Sequence, residues 1–118
     1  MGVLNEAALV FAPKSGRVII LPVTTTAARY AIPADFRGVQ CRWAMASADA
    51  DIAFGDSSVV CTYAQASTVN SEAITPHVQS GGHLFSGVER HWVMPASDQA
   101  THFSVDGGGS GTLYIEAM

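Results

Sequence analysis

Charged residues are scarce in this chain: they make up only 14% of its 118 residues, against about a quarter in an ordinary soluble domain. Intrinsic disorder does not explain the shortage, because disorder requires low hydrophobicity and high net charge. Here 48% of the residues are hydrophobic and the formal net charge is −4. A small domain with so few charges is expected to cover part of its outer surface with other molecules.

Basic residues are particularly few. The chain has six of them, scattered as Lys14, Arg17, Arg29, Arg37, Arg42 and Arg90. Neutralising phosphates requires clustered Lys and Arg, so the sequence argues against nucleic-acid binding. It argues equally against a basic membrane-binding patch. The longest apolar stretches also fall well short of the ~20 residues that span a bilayer, so no membrane partner is expected.

Cysteine is limited to two residues, Cys41 and Cys61. Two are too few for a disulfide framework in a domain of this size. The sequence favours two reduced, buried thiols, with a disulfide between neighbouring strands as the alternative. The first eleven residues include Glu6 and lack the positively charged lead of a secretory signal.

What the chain does contain is short segments that alternate between apolar and polar residues. The clearest is 39–45, in which the residues of one face are Val39, Cys41, Trp43 and Met45. Segments 52–54, 100–105 and 112–116 show the same period of two, which is typical of half-buried strands. Further strands are expected at residues 9–12, 17–21, 24–32, 58–63, 83–86 and 90–94.

This spacing predicts an all-β fold, an antiparallel β-sandwich of jelly-roll type with about eight strands. Residues 17–118 are assigned to the sandwich. Residues 1–16 are assigned to an N-terminal edge strand or to an arm that docks on a neighbouring subunit. The two glycine-rich stretches at 107–111 and 80–82 are expected to form turns, the former a hairpin loop. The polar segment 64–79 is expected to be a functional loop, with a short helix as an alternative at 71–74.

Five segments together resemble the small β-sandwich structural proteins of tailed bacteriophages, in particular the capsid decoration or cement type. They are ADADIAFG (48–55), GGHLFSGVE (81–89), WVMP (92–95), ATHFS (100–104) and GSGTLYI (109–115). The resemblance implies a virion protein, assembled in the host cytoplasm, that binds the major capsid protein on the capsid surface. It also implies a homo-oligomer, either a dimer or a trimer.

The residues themselves give little reason to expect catalysis. The histidines (His77, His83, His91 and His102) lack the spacing of zinc ligands. Asp49, Asp51 and Asp56 lack the ligand order of an EF-hand. No G-x-S-x-G motif accompanies the serines. The sequence therefore predicts a protein that is not an enzyme and carries no metal and no cofactor.

Most of the residues that suggest an interface are apolar or aromatic. Trp43 lies on an alternating strand and is expected in the core, whereas Trp92, beside Arg90, fits a core or an interface equally well. The interface candidates are Leu4, Leu9, Phe11, His77, His83, Arg90 and Trp92. An alternative function is a receptor- or glycan-binding module of a tail fibre or spike, with Tyr63 and Trp92 as stacking platforms.

Overall fold

The protein is a sandwich of eight strands in a computed structural model that describes residues 17–63 and 81–118. The strands are β1 (Val18–Val23), β2 (Ala28–Ala31), β3 (Gln40–Ala46), β4 (Ala50–Gly55), β5 (Gly81–Leu84), β6 (Arg90–Val93), β7 (His102–Gly107) and β8 (Gly111–Ala117). One short 3-10 helix, Ala34–Phe36, lies between β2 and β3 and buries Phe36. The strand predicted at residues 9–12 and the helix considered at 71–74 lie outside the described residues.

The strands form two sheets of four, ordered β1-β8-β3-β6 and β2-β7-β4-β5. Every pairing between these strands is antiparallel. Strands that are adjacent in sequence mostly lie in opposite sheets, which is the arrangement of a jelly roll with two Greek keys. The predicted all-β, antiparallel, eight-stranded fold is therefore confirmed. Residues 17–63 and 81–118 belong to this sandwich, whereas the assignment of 1–16 to a strand or an arm lies outside the described residues.

The core lies between the two sheets, and Trp43 lies at its centre. This side chain has no exposed surface. Its ring is 5.6 to 5.9 Å from the rings of Phe54, Trp92 and Phe103, so β3 of the first sheet contacts β4 and β7 of the second. The indole N–H points to the carbonyl oxygen of Trp92, 3.4 Å away. The prediction that Trp43 is a core residue is confirmed.

The two cysteines do not form a disulfide, and both are buried. Cys41 points into the core from β3, whereas Cys61 lies outside the strands. The expectation of buried thiols is confirmed, and the alternative of a disulfide between neighbouring strands is wrong.

The prediction of a hairpin at residues 107–111 is wrong. This glycine-rich loop leads from β7 in the second sheet to β8 in the first, so it crosses the end of the sandwich. The predicted turn at 80–82 is also wrong in its described part, because Gly81 and Gly82 begin β5. Glycine is used at 82 for close packing: a Cβ there would lie 2.8 Å from the Trp92 ring.

Two of the predicted strands were also too long or misplaced. Only Ala28–Ala31 of the segment 24–32 is a strand, because the Thr24 hydroxyl accepts a hydrogen bond from the Thr26 N–H and turns the chain. Residues 58–63 form no strand. They instead cross the outer face of the second sheet, as described below.

Candidate functional site

The outer face of the first sheet carries an exposed apolar surface on its β1 side. Ile20 of β1, Tyr114 of β8 and Ala44 of β3 lie side by side across the sheet. Val18 and Pro22 precede and follow Ile20 on the same face, because side chains alternate along a strand. We call these five residues the apolar stripe. Ile20 is 60% exposed and Tyr114 is 36% exposed, so the stripe presents large apolar side chains to its surroundings.

The charged side chains next to the stripe pair with each other. Arg42 of β3 lies between two acidic side chains: its Nη1 is 3.0 Å from Glu116 Oε1, and its Nε contacts Glu89. His91 of β6 lies 3.9 Å from the same Glu89. The charge of Arg42 therefore offsets part of the charge of the two glutamates. Exposed pairs of this kind add little stability, but they leave this side of the sheet with little net charge.

Trp92 belongs mainly to the core. It is half-buried, packs against the core cluster and lies over Gly82 of the opposite sheet. The Arg90 guanidinium lies 5.6 Å from its ring centre and also donates to the His83 carbonyl at 3.3 Å. The structure therefore favours a core position for Trp92 over an interface position. The guanidinium of Arg90 lies over the indole ring, and Arg90 itself is exposed.

His83 lies between two carboxylates on the outer face of the second sheet. Its Nδ1 is 2.8 Å from Asp51 Oδ1, and its Nε2 is 3.4 Å from Asp49 Oδ2. Asp51 is only 2% exposed, so the His83 ring covers a buried acid. The Ser86 backbone N–H, and to a smaller extent His83, hold the pKa of Asp49 below its usual range. His83, one of the interface candidates, is therefore held in place by Asp49 and Asp51 of its own chain.

Residues 59–63 form a strap across the outer face of the second sheet. Its backbone is held by side chains of β7, since the Cys61 N–H donates to Ser104 Oγ at 2.9 Å and the Tyr63 N–H donates to Asp106 Oδ2 at 3.0 Å. The two donor residues, Cys61 and Tyr63, are two positions apart in the chain, and so are the two acceptor residues, Ser104 and Asp106. The strap thus runs along β7 at strand spacing, although side chains replace the usual backbone partners.

A cavity of about 440 Å³ opens where the strap meets the end of β7. Its wall is formed by Thr25, Thr62, Tyr63, Asp106, Gly107 and Gly108. We call it the Tyr63 cavity. The Oδ1 atom of Asp106 is itself buried, with almost no accessible surface, and accepts no hydrogen bond from the described residues. Burial, together with the charges of Asp49 and Asp51, raises the pKa of the Tyr63 phenol, which therefore stays protonated at neutral pH.

Several interface candidates from the sequence lie outside the described residues, namely Leu4, Leu9, Phe11 and His77. The other three, His83, Arg90 and Trp92, come together where β5 meets β6. Sequence reasoning missed the apolar stripe. The alternation of β8 already placed Tyr114 on the face opposite Leu113, and the same reading applied to β1 would have placed Val18 and Ile20 beside it.

Within residues 17–63 and 81–118, no group of three or more His, Cys, Asp or Glu side chains is arranged to hold a metal ion. In the same part of the chain, no helix is long and apolar enough to cross a bilayer. Comparisons with protein-family models, with curated proteins and with solved structures found no match to this chain.

Proposed function

We propose that this chain is a structural protein of a tailed-phage virion, a decoration or cement subunit that binds the major capsid protein and stabilises the head shell. The observation that carries the proposal is the apolar stripe. A sheet face with exposed Ile20 and Tyr114, bordered by charged side chains that pair with one another, is costly in water and suited to contact with protein. Under this proposal the subunit acts on the capsid surface and catalyses no reaction.

The fold is compatible with this role but does not decide it. Jelly rolls occur in viral capsid proteins and in lectins alike, and a fold does not by itself fix a function. The low charge of the whole chain, 14%, supports broad contact with other subunits. A stable interface buries on the order of 800 Å² on each partner, so the stripe forms its centre and neighbouring residues form its rim.

Self-association is the second part of the proposal. A subunit that bridges capsid proteins gains from binding at more than one point, because linked sites raise the overall affinity well above that of one site. A dimer or trimer provides such linked copies. Sedimentation of the purified chain is expected to give one of these two masses, and a monomer at all concentrations would contradict this part.

Binding to empty shells tests the main claim. Head shells assembled without the protein are mixed with increasing amounts of it, and the bound fraction is measured after sedimentation. We expect saturation at a fixed ratio of subunits to capsid protein. Ile20→Lys should weaken binding at least tenfold, because it places a charge in the contact.

The matched control is Val60→Lys. Val60 is 66% exposed, much as Ile20 is, but it lies on the strap over the second sheet. It should bind shells as the unchanged protein does. No saturable binding to shells, or equal binding by Ile20→Lys and Val60→Lys, would overturn the proposal. Circular dichroism of both variants ensures that only folded protein is compared.

A further inference from the structure

The edge strands of the two sheets differ in how well they are protected against a further strand. Of the described strands, β1, β2, β5 and β6 lie at a sheet edge. Three of these edges are only four residues long and carry Arg or His: Arg29 in β2, His83 in β5, and Arg90 with His91 in β6. By contrast, β1 has six residues and none of them is charged. Short length and charge are the usual protection of an edge, so β1 is the least protected of the four.

The backbone of β1 directs part of its hydrogen-bonding groups away from β8. The Arg17 carbonyl accepts a hydrogen bond from the Ala117 N–H, which makes position 17 a hydrogen-bonded position of the β1–β8 pair. Such positions alternate along an antiparallel pair, so the N–H and C=O groups of Val18 and Ile20 point away from β8. Pro22 has the same orientation, which is where a strand tolerates proline because no N–H is needed for the ladder.

The same three residues of β1 carry the outermost side chains of the apolar stripe. Val18 is 46% exposed and Ile20 is 60% exposed. The stripe stops at β1 because this strand ends the first sheet among the described strands. A strand added beside β1 places its own side chains next to those of Val18 and Ile20 on the same face. The apolar surface can therefore continue across this edge only through a further strand.

The edge of β1 is complementary to itself. When two copies of β1 lie antiparallel with Ile20 opposite Ile20, each Ile20 donates a hydrogen bond to the other and accepts one from it. Each Val18 N–H then faces the Pro22 carbonyl of the second copy, a pairing that requires no N–H from the proline. The strand contains no charged residue, so no like charges meet. A two-fold axis relates the copies, and this is the commonest symmetry of soluble homo-oligomers.

We propose that β1 pairs with β1 of a second copy of this chain, with Ile20 opposite Ile20, and that this strand addition forms the dimer. The two first sheets, of four strands each, then join into one continuous sheet. Their apolar stripes lie side by side on one face and form a single, wider contact surface. The inference rests on the self-association part of the proposed function. It specifies a dimer in which each copy completes the contact surface of the other.

Disulfide cross-linking of the purified chain tests the pairing and its register. Ile20→Cys places two thiols opposite each other with Cα atoms about 5.5 Å apart, which is within the range of a disulfide. Val18→Cys places them about 14 Å apart along the strands. Mild oxidation should therefore convert most of the Ile20→Cys protein into a covalent dimer and little of the Val18→Cys protein. Val60→Cys is the matched control, because Val60 is 66% exposed but lies on the strap over the second sheet, and it should cross-link little.

Sedimentation equilibrium tests the backbone pairing without cross-linking. Val18→Pro removes the N–H that points to the second copy and no N–H that bonds β8, so it should raise the dimer Kd about tenfold. Val18→Ala keeps this N–H and should stay within about threefold of the unchanged protein. Equal Kd values for the two variants would contradict pairing through the β1 backbone.

Hydrogen exchange at the Ile20 amide distinguishes a second copy from another segment of the same chain. This amide should exchange about tenfold more slowly in the dimer than in protein diluted to the monomer. The proposal is overturned by a monomer at all concentrations, by a trimer, by equal cross-linking of Ile20→Cys and Val60→Cys, or by an Ile20 amide equally protected in the monomer. None of these results depends on head shells. A chain that cross-links at position 20 but shows no saturable shell binding would instead overturn the proposed function and leave the dimer in place.

Discussion

Trp92 of the first sheet rests on Gly82 of the second, and the contact leaves no room for a side chain at position 82. A Cβ built on Gly82 would lie 2.8 Å from Cζ2 and 3.0 Å from Cη2 of the indole. The ring cannot move away freely, because it also packs against Trp43 at 5.6 Å. This contact joins β5 and β6, which follow one another in the chain but belong to different sheets.

Gly82→Ala is therefore expected to lower the free energy of unfolding by about 1–3 kcal/mol, the usual cost of overpacking. Urea denaturation followed by tryptophan fluorescence measures it. Gly109→Ala is the control, since the nearest atom to a Cβ there is 3.7 Å away. If both variants lose the same stability, the Trp92 contact is not the tight packing described here.

Trp43→Ala is expected to cost about 3–5 kcal/mol, as for other fully buried aromatic residues. Its ring contacts aromatic side chains from both sheets, so truncation leaves a cavity between them. Trp43→Phe should cost less, because a ring remains in contact with Phe54 and Phe103. Chemical denaturation gives both values. A loss under about 1 kcal/mol for Trp43→Ala would contradict its central position.

Ser104→Ala tests the attachment of the strap. Ser104 is 1% exposed, and its hydroxyl is the acceptor for the Cys61 N–H. Loss of this acceptor removes a buried hydrogen bond of the Cys61 N–H, at a cost of about 1–3 kcal/mol. Hydrogen exchange should quicken at the Cys61 amide. Ser110→Ala, in the exposed part of the β7–β8 loop, should change neither stability nor exchange at Cys61; equal exchange rates in the two variants would contradict the assignment.

The Cys41 thiol should make stability depend on alkaline pH. Burial raises its pKa from 9.0 to about 11, partly opposed by the charge of Arg17. Since the unfolded chain ionises first, this contribution to stability is complete below pH 9 and is lost as the pH rises toward 11. Urea denaturation at pH 8 and pH 10.5 measures the loss. It should be smaller in Cys41→Ala, and an identical pH dependence of the two proteins would contradict the burial of this thiol.

The strands were predictable where one face alternates cleanly. Cys41, Trp43 and Met45 identified β3, and Leu113 with Ile115 identified β8, because a period of two reflects local geometry alone. The path of residues 107–111 was not predictable in the same way. A glycine-rich loop shows that the chain turns but not which strand it joins next, and here that strand lies in the other sheet.

The candidate sites were predictable only in part. Tyr63 was named, together with Trp92, as a possible stacking platform under the alternative function of glycan binding. Asp106 was not, since an acidic residue on an alternating strand has the pattern of an ordinary solvent-facing position. Asp106 accepts a hydrogen bond from the Tyr63 N–H of the strap, 43 positions away in the chain. A local sequence pattern cannot reveal such a distant contact.

A density map of the protein on its native particle shows which surface attaches it to the head shell. We expect copies on the outside of the head, as dimers or trimers, with Ile20 and Tyr114 of the first sheet against the capsid protein. If the map instead shows Ile20 and Tyr114 facing solvent, or shows the protein only away from the head shell, the assignment of the apolar stripe as the attachment surface is wrong.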